Sequence, residues 1–139
     1  MAVRTAKATW EGSLREGHGV MQFGTFEGPF TWSSRFEEGK GTNPEELVGA
    51  AHAGCFSMAL SGDLGKAGYT VRRISTNATV QLERVEGKAR ITKIHLETMA
   101  EVPGIEKEAF LKIAEDAKLG CPVSAALTGV KITLDAKLI

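Results

Sequence analysis

Residues 42–68 read TNPEELVGAAHAGCFSMALSGDLGKAG, and the fold turns on this stretch. It opens as helices open. Asn43 can cap the free amides, Pro44 suits the first helical position, and Glu45 and Glu46 place negative charge on the positive end of the dipole. It closes with Lys66 in the last turn and Gly68 just beyond. From Val48 to Leu60 no side chain is formally charged, so the polar stripe of a surface helix is missing. The run falls short of the roughly 20 apolar residues that span a bilayer. The expectation is a helix buried on nearly all sides, with Cys55 at its centre and His52 one turn earlier. Gly49, Ala50, Ala51, Ala53, Gly54 and Ala59 leave its surface nearly bare, so another backbone can pack tightly against it.

On either side the chain alternates between strands and turns. Residues 3–11, with β-branched side chains and Trp10, read as a first strand ended by Gly12. Residues 18–23 read as its return, and 30–36 (FTWSSRF) as a short strand carrying Arg35. The following Gly-Lys-Gly-Thr lacks the glycine spacing and the Lys-Ser/Thr pair of a phosphate loop. After the helix, residues 71–83 alternate cleanly. Ile74, Thr76, Ala78, Val80 and Leu82 share one face, and Ser75, Asn77, Thr79, Gln81 and Glu83 the other. Glu86-Gly87 is the turn and 89–99 the returning strand. Residues 105–119 place Ile105, Ala109, Ile113 and Ala117 at every fourth position, with Phe110 and Ala114 alongside, the stripe of an amphipathic helix. Cys121-Pro122 opens a short helix, and 130–138 is a last alternating strand. The class is α+β: a mainly antiparallel sheet wrapped around a long buried central helix.

The 139 residues suffice for one core, so a single domain over 1–139 is expected. Apolar content of 42% and charged content of 24% are ordinary for a soluble globular protein. With 17 basic and 17 acidic residues and no basic cluster, no nucleic-acid partner held by phosphate neutralisation is expected. The start, MAVRTAKATW, lacks the apolar segment of a signal peptide, which makes the cytoplasm the expected compartment, with no membrane partner. Two cysteines in a reducing compartment are no disulfide framework, and a bond between them would be transient.

Four residues stand out for chemistry. Cys55 taken by its position is a small hydrophobe in a buried helix. Cys121, at the N-cap of a short helix with Pro122 at its first position, sits where dipole and free amides favour a thiolate. His52 is a packed or hydrogen-bonded core residue before it is a zinc ligand. A zinc site needs three or four ligands, no C-x-x-C is present, and neither His18 nor His95 has ligand spacing. No metal and no cofactor are expected. A Cys-His hydrolase would also need an oxyanion-hole motif, and none is visible. Glu45 reads alone as a helix-dipole carboxylate and Arg35 as a surface arginine.

Taken together, these residues carry a resemblance. The stretches SRFEEGKGTNPEELVGAAHAGCFSMAL (34–60), VPGIEKEAF (102–110), GCPVS (120–124) and KITLDAKL (131–138) resemble the osmotically inducible protein C (OsmC) family, a cousin of the organic hydroperoxide resistance (Ohr) proteins. The SRFE setting of Arg35 is similar to the OsmC branch. The resemblance implies an intertwined homodimer with its two long helices packed together. It implies thiol-dependent reduction of organic hydroperoxides, and more weakly of hydrogen peroxide, with an external dithiol reductant for which the family suggests a lipoyl group. By motif Cys55 corresponds to the peroxidatic cysteine, Cys121 to the resolving one, and Arg35 and Glu45 to the pair that activates the thiolate. An apolar surround from Phe56, Met58 and the Phe-rich segment 23–32 would suit an organic peroxide. Glu45 precedes Cys55 by ten residues, ~15 Å along one helix, so it would serve the partner's cysteine. The competing reading is a non-catalytic dimeric stress or binding protein with inert buried cysteines. Helix-end logic and the resemblance also disagree, since the first makes Cys121 the more acidic thiol and the second makes Cys55 the first to attack.

Overall fold

The computed structural model describes all residues from Met1 to Ile139. The chain gathers into two compact units, Met1–Leu47 and Val48–Ile139.

In the first unit β1 (Lys7–Glu11), β2 (His18–Phe23) and β3 (Phe26–Phe30) form an antiparallel meander. The β2–β3 turn is only Gly24-Thr25, and Phe23 and Phe26, opposite each other beside it, stack at 4.7 Å between ring centroids. Residues 32–36, expected as part of a strand, are instead the helix α1 (Trp32–Phe36). The reason is local. Thr31 accepts from the Ser34 amide at 3.1 Å, and the Ser34 hydroxyl accepts from the Thr31 amide at 2.8 Å. This reciprocal cap satisfies two free donors of a first helical turn and outweighs the β-like alternation of the side chains. The Ser34 hydroxyl also bonds the Thr42 carbonyl at 2.8 Å, and Asn43 Nδ2 donates to the Ser34 carbonyl at 3.0 Å. Arg35 is thereby fixed on a short helix rather than on a strand.

Helix α2 (Pro44–Lys66) starts as its sequence dictates, with Asn43 Oδ1 accepting from the Glu46 amide at 2.8 Å. In the second unit, Phe56, Leu60 and Leu64 descend one face of this helix and are fully buried. They meet Ile94, Leu96 and Ala100 of the sheet and Phe110, Ala114 and Ala117 of α3 (Lys107–Gly120) in one core. Each large side chain so buried contributes about 1.5–3 kcal/mol. The burial expected on nearly all sides is met on this face. The opposite face, with Ala50, Ala51, Gly54, Met58, Ser61, Gly62 and Gly65, is exposed within the single chain. It carries no charge, and Met58 is 78% exposed.

The second sheet is built on the long hairpin of β4 (Arg73–Val85) and β5 (Lys88–Glu101). Its turn places Glu86 and Gly87 at φ 50° and 79°, the left-handed pair that matches strand twist in a two-residue loop. Ile74, Thr76, Ala78, Val80 and Leu82 lie on the more buried face, as their alternation requires. The third strand, β6 (Lys131–Leu138), joins β5 in parallel, because α3 and the short α4 (Pro122–Ala126) carry the chain back to the starting end. The sheet is therefore mixed. A hydroxyl ladder ties α2 to it. Ser57 meets Thr76 at 2.7 Å, and Thr76 meets Thr98 at 2.9 Å. Cys55 is two residues from the helix end of that ladder.

Candidate active site

The second unit brings the two cysteines together. Cys55 reaches the junction of α3 and α4, where Cys121 both ends the first helix and caps the second. The sulfurs are 3.0 Å apart although the residues are 66 apart in sequence. Cys121 has no exposed surface, whereas Cys55 is partly exposed. Their environments push them in opposite directions. Burial raises the Cys55 thiol, and the hydrogen bond with Cys121 raises it further, against one bond from the Val123 amide. Burial would raise Cys121 as well. The adjacent Cys55 thiol and the polar groups of Ser124 and Val123 at the turn into α4 more than offset it and hold this thiol below its usual value. Of the tightly coupled pair, Cys121 is the more acidic, as its helix-end position suggested.

His52 is fully buried one turn before Cys55, and its Nε2 lies 2.8 Å from Ser124 Oγ. It is thus the hydrogen-bonded core histidine that its sequence position favoured. Ser124 was not visible as a functional candidate. The structure places its hydroxyl on the His52 imidazole, three residues after Cys121 in the chain.

The first unit brings Arg35 and Glu45 together. Arg35 Nη2 donates to Glu45 Oε1 at 2.7 Å, and Nε lies 3.1 and 3.2 Å from the two carboxylate oxygens. Glu45 is buried and Arg35 is more than a third exposed. A guanidinium held along one edge by a buried carboxylate keeps its charge and orientation, and its outer edge is free to meet an anion. Beside it is an apolar cleft of about 240 Å³ formed by Trp10, Leu14, Phe30, Trp32 and Phe36. Phe30 and Trp32 line this cleft, but Phe56 belongs to the core of the other unit.

Residues 37–135 match the family described as OsmC-like protein. The peroxiredoxin OsmC of Escherichia coli (strain K12) is 48% identical over 138 residues, covering 97% of this chain and 96% of that protein. The chain belongs to the OsmC family. The organic hydroperoxide resistance protein OhrB of Bacillus subtilis, of the related branch, is 26% identical over 148 residues, covering 99% of this chain and all of that one (100%). An OsmC-like protein of unknown function from Vibrio cholerae superposes with a TM-score of 0.77 at 18% identity, covering 98% of this chain and 99% of that one. At that identity the likeness speaks for the OsmC fold alone. No helix of the chain is long and apolar enough to cross a membrane.

Proposed function

We propose that this protein is a cysteine-based peroxidase that reduces organic hydroperoxides, and more weakly hydrogen peroxide, to alcohols and water. The observation that carries the reading is the pair of sulfurs 3.0 Å apart, one partly exposed and one buried. The Cys55 thiolate attacks the outer peroxide oxygen. The O–O bond breaks, the alkoxide leaves and takes up a proton as the alcohol, and Cys55 becomes a sulfenic acid. Cys121 then attacks the Cys55 sulfur. The S–S bond forms, the S–O bond breaks, and the hydroxyl leaves as water with the Cys121 proton. An external dithiol returns the disulfide to two thiols, and the lipoyl class suggested by the family has the chemistry to do so.

The raised Cys55 thiol needs a cation to become a nucleophile at neutral pH. Arg35, oriented by Glu45, is the cation of the reading, supplied to each Cys55 by a second copy of the chain. The exposed, uncharged face of α2 supports a homodimer, since a closed two-fold contact is the commonest way to cover such a surface. The apolar cleft beside Arg35 supports an organic rather than a small polar peroxide. The cytoplasm is the compartment that this dithiol chemistry suits.

A thiol count tests the reading. One equivalent of cumene hydroperoxide should remove two thiols per chain and yield one equivalent of alcohol, and excess dithiol should restore both. No loss of thiols would favour the binding protein with inert cysteines.

A further inference from the structure

The two tryptophans of the chain, Trp10 and Trp32, both line the apolar cleft beside Arg35. Helix α1 sets Trp32, Arg35 and Phe36 along its wall, three and four residues apart, and Leu14 and Phe30 close it from the sheet and its loop. The lining holds no carboxylate. A second guanidinium stands at its edge. Arg15, in the loop between β1 and β2, lies 4.2 Å from the centre of the Trp32 ring.

The loop that carries Arg15 has a fixed shape. The Gly17 amide donates to the Ser13 carbonyl at 2.8 Å, and the Glu16 amide to Ser13 Oγ at 3.2 Å. Trp10 Nε1 donates to the Gly12 carbonyl at 3.2 Å, which ties the loop to a wall of the cleft. Gly12 has a φ of 93°, and a Cβ at Gly17 would run into the carbonyl oxygens of Glu11 and Ser13, so both ends of the loop need glycine. Charge is sorted across this loop. Glu11 and Glu16 border a different hollow with Ser13 and His18, and Glu11 faces His18 at 3.9 Å. Arg15 enters none of the ion pairs of the chain. A guanidinium stacked on an indole keeps its N–H edge free for a planar anion.

We propose that Arg15 is a specificity-determining residue, which grips the carboxylate of an acidic hydroperoxide while the hydrocarbon part fills the cleft and the peroxide group meets Arg35. The inference rests on the peroxidase reading and names a substrate class within it, organic hydroperoxides that also carry a carboxylate. The chemistry at sulfur is the same for these as for neutral hydroperoxides. The difference lies in encounter and hold. A cavity of about 150 Å³ takes a benzene molecule. A cleft of about 240 Å³ therefore has room for a substituted ring or a comparable length of chain. A neutral hydroperoxide can fill the same space, but it leaves the Arg15 edge to water. A charge at such a rim steers an anion into place, and its effect fades as salt is added.

The experiment has two independent readouts. Both tryptophans border the cleft, so intrinsic fluorescence reports its filling without any turnover. Unreactive 4-isopropylbenzoate should bind about fivefold more tightly than neutral 4-isopropylbenzamide, and Arg15→Gln should bring the two together. Turnover is read with cumene hydroperoxide carrying a para carboxylate, and with the methyl ester of that acid. At low ionic strength the wild type should show a kcat/KM about fivefold higher for the acid than for the ester. Arg15→Gln should remove that preference, and about 0.5 M salt should remove most of it in the wild type. Arg15→Lys keeps the charge without the planar fork and should fall between.

The proposal is overturned if the wild type does not distinguish acid from ester. It is equally overturned if Arg15→Gln slows acid and ester alike, the result expected of a residue that only props Trp32. If the wild-type protein consumes neither hydroperoxide, the peroxidase reading fails by itself, and the contrast between benzoate and benzamide still decides whether Arg15 takes a carboxylate.

Discussion

Cys55→Ser should abolish hydroperoxide consumption and leave Cys121 reduced, although Cys121 is the more acidic of the two thiols. Acidity and access point to different sulfurs here. Cys121 is held below its usual value by the Cys55 thiol and the polar groups of Ser124 and Val123 beside it, but it has no exposed surface. A peroxide must bring its O–O bond in line with the attacking sulfur, and Cys55 has the exposed surface to allow that. A lower pKa is also useful in a second attacker, because it raises the share of thiolate that meets the sulfenic acid. Cys121→Ser should accordingly react once. Without a thiol to condense with, its Cys55 should stop at the sulfenic acid and proceed to sulfinic acid in excess peroxide. Intact mass would read one oxygen, then two. Should Cys55→Ser form a sulfenic acid on Cys121 at the wild-type rate, the roles are reversed and acidity was the better guide.

A mixed dimer of one Glu45→Ala chain and one Cys55→Ser chain should keep about half the wild-type activity, although each homodimer is severely impaired. The arithmetic follows from the ~15 Å of helix between positions 45 and 55. If each Cys55 takes its Arg35–Glu45 pair from the other subunit, the two defects fall together. One site holds the alanine and the serine. The other holds an intact Cys55 and the partner's intact Glu45. If both groups came from one chain, each site would carry one defect and the mixed dimer would be as impaired as its parents. Differently tagged chains, co-expressed and doubly purified, give the species to be assayed. Sedimentation must first find a dimer at micromolar concentration, and a folded monomer there would remove the arrangement altogether.

What could be read in advance divides along physical lines. The caps of α2 and the strand β4 were legible because each is decided within a few residues. Asn43 needs only the Glu46 amide, and Ile74 to Leu82 need only a period of two. Residues 32–36 misled because two local signals disagreed there. Aromatic and β-branched alternation spoke for a strand, and the Thr31–Ser34 cap for a helix. A serine in place of the usual Glu or Gln at the third position made that cap easy to miss. The parallel pairing of β6 depends on where two intervening helices deliver the chain, which no local pattern records. Arg35 and Glu45 were each unremarkable alone, and only folding shows three N–H to oxygen approaches between them. Cys121 was legible as an acidic thiol from its cap position. Its source of acidity was less so, since it also terminates the 14-residue α3, whose dipole opposes that of the five-residue α4. The Cys55 thiol and the polar groups of Val123 and Ser124 contribute to the lowered value beside those opposed dipoles.

The two sulfurs meet across 66 residues of chain, close to half the molecule. That separation makes the oxidation state a matter of polymer statistics as well as of chemistry. A covalent link between positions 55 and 121 would hold the whole β4–β5 hairpin, α3 and their connections in one closed loop, even after every native contact was lost. A loop of that size removes chain entropy from the denatured ensemble worth about 4 kcal/mol. Protein waiting in the disulfide form for its dithiol would thus be the harder one to unravel or to thread into a protease. Reduction would return it to activity and, in the same act, to its ordinary rate of turnover.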